Sequence, residues 1–287
     1  MSGRWGTRAD LHLHSTASDG RLSPREIVQQ AARLGLEVIA LTDHDSVAGI
    51  PPAQEEAKSF PGLLFIPGVE VATHVPDGEV HILGYFFDPS HPTLVSTLER
   101  LQHSRVERAR KIVEKLKALG LPLSWESILE LSRGESLGRP HIAQAMVEKG
   151  YVPDIRQAFF QYIGRGRPAY VERDHLSPEE GVRLIRIAGG LPVLAHPLDI
   201  GALPLEPIVR RLKRLGLVGM EAYYGDYTPE KVGYLVGLAR KLGLIPLGGS
   251  DYHGLEKGMD TPLGSVDLPR EAVDRLLTLV PRPLTAR

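Results

Sequence analysis

Short apolar runs alternate with amphipathic segments along most of the chain, and polar residues gather where the apolar runs end. Ala9–Leu13 alternates apolar and polar positions and reads as a strand. Ser23-Pro24-Arg25-Glu26 combines a capping box with proline at the first helical position. It predicts a helix to Leu34, with Ile27, Ala31 and Leu34 on one face and Gly35 as the stop. Val38–Leu41, Leu63–Ile66 and Val80–Phe87 read as strands. The pattern returns further on, where Ser177-Pro178-Glu179-Glu180 opens a helix and Leu191–Ala195 is a strand. Leu217–Ala222 and Leu244–Leu247 are further strands, separated by a helix that Thr228-Pro229-Glu230 opens and that runs to about Leu242. Repeated strand–helix units predict an α/β fold with a parallel sheet and helices outside it. In a barrel of that kind the active site is built at the C-terminal ends of the strands.

The rhythm breaks over residues 92–166. Leu94, Leu98, Leu101, Ile112, Leu116 and Leu119 recur at helical spacings, and Ser124-Trp125-Glu126-Ser127 begins a shorter helix. Pro140–Lys149 and Asp154–Ile163 read as two more. The stretch is predicted to be an α-helical insertion, with the barrel formed by residues 1–91 and 167–287.

Composition narrows the chemistry. The 287 residues contain no cysteine, which excludes disulfides, thiolate metal sites and a cysteine nucleophile. Any metal must be held by His, Asp and Glu. The net charge of -1 argues against a broad grip on long duplex nucleic acid. The N-terminal residues lack the apolar stretch of a secretory signal and no run is long enough to span a membrane, so a cytoplasmic location is expected.

Residues with chemistry sit at the strand ends. In Asp10-Leu11-His12-Leu13-His14-Ser15, alternate positions of a strand share a face, so His12 and His14 could ligate one metal; two surface histidines on an edge strand are the plainer reading. Ser18-Asp19-Gly20 and Thr42-Asp43-His44-Asp45 follow. Asp43 and Asp45 fit turn or cap roles as well as chemistry, whereas an apolar strand delivers His44. Glu70, after Gly68-Val69, is costly if buried unpaired, so either a metal or a salt bridge is expected beside it. His81, within Val80–Gly84, and His196, before Pro197, fit either ligands or satisfied core histidines. Ser250-Asp251-Tyr252-His253 brings a carboxylate and an imidazole together after a strand and two glycines. Six of the eleven histidines fall in this set. Mixed His/carboxylate ligation suits Mn, Zn or Fe. Several such ions close together favour phosphate-ester hydrolysis, because they acidify a shared water and neutralise phosphoryl oxygens.

Taken in order, Asp-x-His-x-His-Ser, Thr-Asp-His, Gly-Val-Glu, the strand His, Ala-His-Pro and Ser-Asp-x-His resemble the motifs of the PHP (polymerase and histidinol phosphatase) family. They span residues 10 to 253. The resemblance implies a distorted (β/α)7 barrel and two to three divalent ions, Mn²⁺ first, with Zn²⁺ or Fe²⁺ as alternatives. It further implies a first site of His12, His14, Glu70 and Asp251. Glu70, His81 and His196 would form a second, and Asp19, His44 and His253 a third. Asp251, His253 and His196 are the candidates for moving protons.

Gly138-Arg139-Pro140-His141 begins a helix whose free N–H groups and Arg139 suit phosphate, although Arg139 could equally make a structural salt bridge. His141 is a further candidate substrate contact, as are Arg165 and Arg167 in the Gly164–Pro168 loop. The insertion with this motif, together with Asp19, resembles the branch of nucleoside 3′,5′-bisphosphate phosphatases, some of which trim short RNA from its 5′ end. A small phosphorylated nucleotide or short RNA is therefore the expected substrate. Histidinol phosphate phosphatase is the rival within the family, and a metallo-amidohydrolase or a non-catalytic, polymerase-associated domain are rivals outside that chemistry. Tyr223, Tyr224 and Tyr227 fit either base stacking or a packed barrel rim. His74, His91, His103 and His175 are expected on the surface.

Overall fold

The structure is a computed structural model, and it describes residues 8–75, 78–132, 137–172, 174–200, 204–225, 227–255 and 260–280. The first seven residues, read above for a secretory signal, lie outside the described ones. Seven strands form one sheet in sequence order: β1 (Ala9–Leu13), β2 (Val38–Leu41), β3 (Leu64–Val75), β4 (Gly78–Tyr85), β5 (Leu191–Leu194), β6 (Gly219–Tyr224) and β7 (Ile245–Gly249). The sheet curls until its edges meet. Asp251 N–H donates to the His12 carbonyl (2.9 Å) and His14 N–H to that of Tyr252 (3.0 Å).

The sheet is not parallel throughout. β3 and β4 pair antiparallel over eight registered positions, from Gly68↔Tyr85 to Val75↔Gly78, and β4 meets β5 antiparallel as well. The expected strand at Leu63–Ile66 begins one residue later, at Leu64, and is only the start of a 12-residue strand. β2 accompanies β3 only as far as Leu41↔Pro67. Beyond Pro67, β3 runs past the barrel end paired with β4.

The helices of the barrel unit follow their capping signals. In α1 (Pro24–Arg33), Ser23 accepts from Glu26 N–H and the Glu26 carboxylate reaches back to Ser23 N–H (2.8 Å). Ser177 and Glu180 repeat the arrangement before α7 (Pro178–Ile187). α1 buries Ile27, Val28 and Ala31; Leu34, expected on that face, lies past the last turn and is exposed. Three further helices, α2 (Ile50–Ala57), α8 (Leu205–Arg214) and α10 (Arg270–Thr278), complete the unit with α9 (Pro229–Lys241). Strands β1 to β5 and β7 contribute to one apolar cluster that includes Leu11, Ala40, Ile66, Leu83, Val193 and Leu247. Ile39 and Leu41 face a second cluster under α1 and α2.

By its contacts the chain divides into Met1–Ser96 with Leu176–Arg287, and Thr97–His175. The second unit is helical, with the greater part of α3 (Pro92–Ala118), α4 (Trp125–Ser132), α5 (Arg139–Glu148) and α6 (Ile155–Ala158), which runs on as a π-turn over Phe159–Ile163. Its core gathers Ile112, Leu116, Ile128, Ile142, Met146 and Ile163. Leu119, expected on the buried stripe, falls one residue beyond α3 and is exposed. Among the described residues no helix is long and apolar enough to cross a membrane.

Candidate metal centre

The site grows from an irregularity in β1. Ala9 and Leu11 belong to the first apolar cluster, so strict alternation would send His12 and His14 the other way. Pairing of β1 with β2 slips between Asp10 and Leu13, three positions on β1 facing two on β2. Leu13 therefore joins the cluster beneath α1, and His12 and His14 turn inward. Asp10 locks this bend: its carboxylate accepts from Ser250 N–H (2.9 Å) and Gly264 N–H (2.8 Å). Asp43 does the same for the next loop, accepting from Ser15 N–H (2.7 Å) and the hydroxyls of Ser15 (2.8 Å) and Ser18 (2.7 Å). Asp45, in the left-handed region at φ 47°, accepts from Ala72 N–H (3.0 Å). Asp43 and Asp45 thus take the turn-building roles that the sequence left open.

Glu70 lies inside β3 rather than after a strand, and is fully buried. Its Oε2 is 3.2 Å from His12 Nε2, 3.2 Å from His14 Nε2 and 3.1 Å from His44 Nδ1. Its Oε1 is 2.8 Å from His81 Nδ1 and 3.0 Å from His196 Nε2. Asp251 Oδ1 stands 3.1 Å from His12 Nε2 and 3.0 Å from His14 Nε2. Asp251 itself adopts φ 55°, a costly conformation for a non-glycine residue that aims its carboxylate at the two histidines. Asp19 faces His14 Nδ1 (3.4 Å), His253 Nε2 (3.5 Å) and His44 Nε2 (3.7 Å).

Three overlapping groups could hold metal ions: His12, His14, Glu70 and Asp251; His44, Glu70 and His81; and His14, Asp19, His44 and His253. His196 stands beside the second of these, 3.2 Å from His81 Nδ1. The donor set fits cations. Both ring nitrogens of His14, Asp19 Oδ1, His44 Nδ1 and Asp251 Oδ1 are buried without an aligned hydrogen bond, which is expensive unless something else satisfies them. Several of the other imidazoles turn their outer nitrogen to a fixed partner. His12 Nδ1 meets Glu221 Oε1 (3.1 Å), His196 Nδ1 meets Asp199 Oδ2 (3.2 Å) and His253 Nδ1 meets the Asp251 carbonyl (2.8 Å). Each partner accepts an Nδ1 proton and leaves an Nε2 lone pair for the cluster, the usual arrangement behind metal-binding histidines.

Electrostatics agree. Burial opposes charge on Glu70, yet His44, His12 and His81 hold it well below the usual range. Burial likewise opposes charge on Asp251, which His12 and His14 hold down, and on Asp19, which His44, His14 and His253 hold down. Against its own burial, His12 is held well above its ordinary value by Asp251, Glu221 and Glu70, and His196 is raised to about 10 by Asp199 and Glu70. At His44 burial wins and lowers it to about 4. Without cations this is a dense set of imidazolium–carboxylate pairs, in which a metal would take the place of protons.

Glu221, Asp199 and Tyr224 escaped the sequence reading as parts of this site. Tyr224 donates to Asp251 Oδ2 (2.7 Å), its ring lies 5.0 Å from that of Tyr227, and the Tyr227 hydroxyl accepts from Leu198 N–H (3.1 Å). Tyr223 packs against the apolar core. His74 is half-buried and meets Glu79 Oε1 (3.0 Å), unlike the surface residue expected. In the helical unit, His141 Nδ1 accepts from Gly138 N–H (3.1 Å) at the start of α5. Arg139 lies over the Phe159 ring at 5.3 Å and Arg167 over Phe160 at 4.8 Å, with Arg165 and Arg167 exposed.

A buried His/carboxylate cluster at one end of a distorted seven-stranded barrel is the mark of a metal-binding α/β barrel. The PHP domain pattern matches residues 10–104. The chain is 36% identical to the 5′-3′ exoribonuclease Rnm of Salmonella typhimurium over 85% of its own length and 84% of that protein. It is 34% identical to the 3′,5′-nucleoside bisphosphate phosphatase of Chromobacterium violaceum over 91% and 92% of the two chains. A solved structure from Bifidobacterium adolescentis, assigned as a metal-dependent phosphoesterase, superposes with a TM-score of 0.80 at 31% identity, covering 94% of this chain and 95% of that one. The chain belongs to the PHP family.

Proposed function

We propose that the chain is a metal-dependent phosphoesterase that removes the 3′-phosphate of nucleoside 3′,5′-bisphosphates and trims short RNA from its 5′ end. The observation that carries the hydrolytic reading is Glu70: one buried carboxylate within 2.8–3.2 Å of five imidazole nitrogens. The names of the two relatives, at 36% and 34% identity over most of the chain, carry the choice of substrate. We assign two to three Mn²⁺, Zn²⁺ or Fe²⁺ ions to His12, His14, Asp19, His44, Glu70, His81, His196, Asp251 and His253. When bound, such ions activate water and neutralise phosphoryl oxygens.

The residues supply the rest. Glu70 fixes the spacing of the imidazoles around it. Asp251, held ionised by His12 and His14, keeps Oδ1 free for the cluster while Tyr224 occupies Oδ2. Exposure rises from none at His12 and Glu70 to about a fifth at His253 and more at Asp19, so the anionic substrate reaches the cluster from that side. His253, Asp251 and His196 are the groups we assign to carry a proton to the leaving oxygen.

The test is phosphate release by the Mn²⁺-loaded protein from adenosine 3′,5′-bisphosphate, histidinol phosphate, AMP and a 5′-phosphorylated short RNA, with Asp251→Ala in parallel. Turnover of the bisphosphate or the RNA, lost in the variant, is expected. Turnover of histidinol phosphate alone would keep the metal centre and replace the substrate; no turnover of any would reject the proposal.

A further inference from the structure

β6 supplies none of the nine residues assigned above to the metals, yet two of its side chains reach the cluster from behind. Glu221 is fully buried among Gly219, Met220 and Ala222, and both of its oxygens are committed. Oε1 meets His12 Nδ1 at 3.1 Å, and Oε2 accepts from the backbone N–H of His196 at 2.7 Å. A buried carboxylate is costly unless its partners are well placed, and these two belong to different strand ends, β1 and the segment after β5. Three residues further on, Tyr224 donates to Asp251 Oδ2 at 2.7 Å. A regular strand would put residues 221 and 224 on opposite faces. They share a side because the pairing of β6 with β7 slips between Glu221 and Tyr223, which face Leu247 and Gly248, so that two steps on β6 match one on β7. The slip presses Tyr223 so close to β7 that a Cβ on Gly248 would lie 1.8 Å from the Tyr223 carbonyl oxygen. Only glycine fits there.

We infer that β6 is the positioning strand of the metal centre: Glu221 sets the tautomer of His12 and the place of His196, and Tyr224 selects which oxygen Asp251 offers, so that together they set metal affinity. The inference rests on the metal-centre reading of the cluster. Glu221 Oε1 accepts the His12 Nδ1 proton, which leaves the Nε2 lone pair, on the side of Glu70 and Asp251, for a metal. A glutamine at 221 has one accepting oxygen. If that oxygen keeps the His196 N–H, its amide N–H groups face His12 Nδ1, which must then be unprotonated, and the His12 proton moves to Nε2, where a metal would bind. If the amide turns round, its N–H groups face the His196 N–H. In both orientations a glutamine of the same size and packing spoils the site, which a merely structural role would not cause.

The experiment is a titration of the full chain with Mn²⁺ in a competing chelator, without substrate, for the parent, E221Q and Y224F, with thermal unfolding of each in EDTA as the folding control. E221Q should bind Mn²⁺ about 10- to 100-fold more weakly, as changes behind metal-binding histidines do, and Y224F should be weaker by a smaller factor. In EDTA both variants should show a cooperative thermal transition, as folded proteins do. Parental affinity in both variants overturns the inference and leaves the metal centre standing. A parent that binds no Mn²⁺ overturns the metal-centre reading and the inference with it. If E221Q fails to fold, Y224F decides: weakened binding supports the inference, and parental affinity overturns it.

Discussion

His44 and Glu70 face one another across a single parallel bridge, although His44 stands past the end of β2 and Glu70 in the middle of β3. Backbone bonds on either side fix the pair: Asp45 N–H donates to the Glu70 carbonyl (2.8 Å) and Glu70 N–H to that of Asp43 (3.2 Å). β3 overshoots the barrel, so a mid-strand residue arrives level with the strand ends. β4, returning antiparallel, brings His81 to the same level opposite Ala72. Glu70 becomes the shared element of two of the three ligand groups through this overshoot.

Glu70→Gln should therefore weaken metal binding at more than one site at once, by more than the 10- to 100-fold typical of residues behind the ligands. Metal analysis after gel filtration would check it. Loss of one ion with the others retained would show that Glu70 is not shared.

Removing the metals should expose a distinctive dependence on pH. Glu70, Asp251 and Asp19 are held low, so the stability they contribute is present above about pH 4, the unfolded range, and is lost as the pH falls through their folded values. His12, His14, His81 and His196 are held high. Their contribution is complete below about pH 6.5 and is lost as the pH rises toward their folded values, about 10 for His196. His44, lowered to about 4, runs the other way but stands alone among these imidazoles. The EDTA-treated protein should lose Tm from about pH 6.5 upward. Metal binding displaces protons and so tightens over the same interval. Thermal unfolding between about pH 6 and 9 should show the Tm gap between Mn²⁺-loaded and EDTA-treated protein widening. A constant or shrinking gap would contradict protons and metals sharing these nitrogens.

Gly249→Ala should damage both fold and site. A Cβ at 249 would lie 2.5 Å from His12 Cβ and 2.6 Å from His12 N, so β1 and β7 would have to part where the barrel closes. Overpacking of this kind costs about 1–3 kcal/mol, and here the displaced strand carries the two histidines. A fall in Tm together with weaker Mn²⁺ binding is expected; weaker binding with Tm unchanged would mean that the strands do not resist.

Arg139 is a substrate candidate on sequence grounds, and within the helical unit its guanidinium stacks on Phe159. If it also meets a phosphate, a charge-assisted hydrogen bond of about 1.5–3 kcal/mol is lost in Arg139→Ala, and KM for the bisphosphate rises by about ten- to a hundredfold. Steady-state kinetics with Arg139→Ala and His141→Ala would decide; an unchanged KM would leave the two residues with the stacking and capping roles described.

Much of this site was legible in the sequence, because its residues come in compact motifs at the ends of short apolar runs. Both serine capping boxes were legible too, since capping is local chemistry. The length of β3 was not: Pro67-Gly68 read as the end of a strand, whereas Pro67 marks only the end of its pairing with β2, and its carbonyl still accepts from Phe86 N–H (3.1 Å). Antiparallel β4 depends on that overshoot and was hidden with it. Tyr224 could not be placed because a bulge reverses the alternation ahead of it, as another does for His12 and His14. Glu221 could have been found. It is a lone acid in an apolar strand, and Gly219-Met220-Glu221 repeats the spacing of Gly68-Val69-Glu70, so the reasoning that singled out Glu70 applies to it equally.

The most direct test is to count bound ions and reaction together. The metal-stripped protein would be titrated with Mn²⁺, with Mn²⁺ per chain and phosphate release from adenosine 3′,5′-bisphosphate measured at each point. Release that is absent without metal and appears as two to three ions fill each chain is the expected result. Full occupancy with no release, or release undiminished in the stripped protein, would contradict a metal-dependent phosphoesterase.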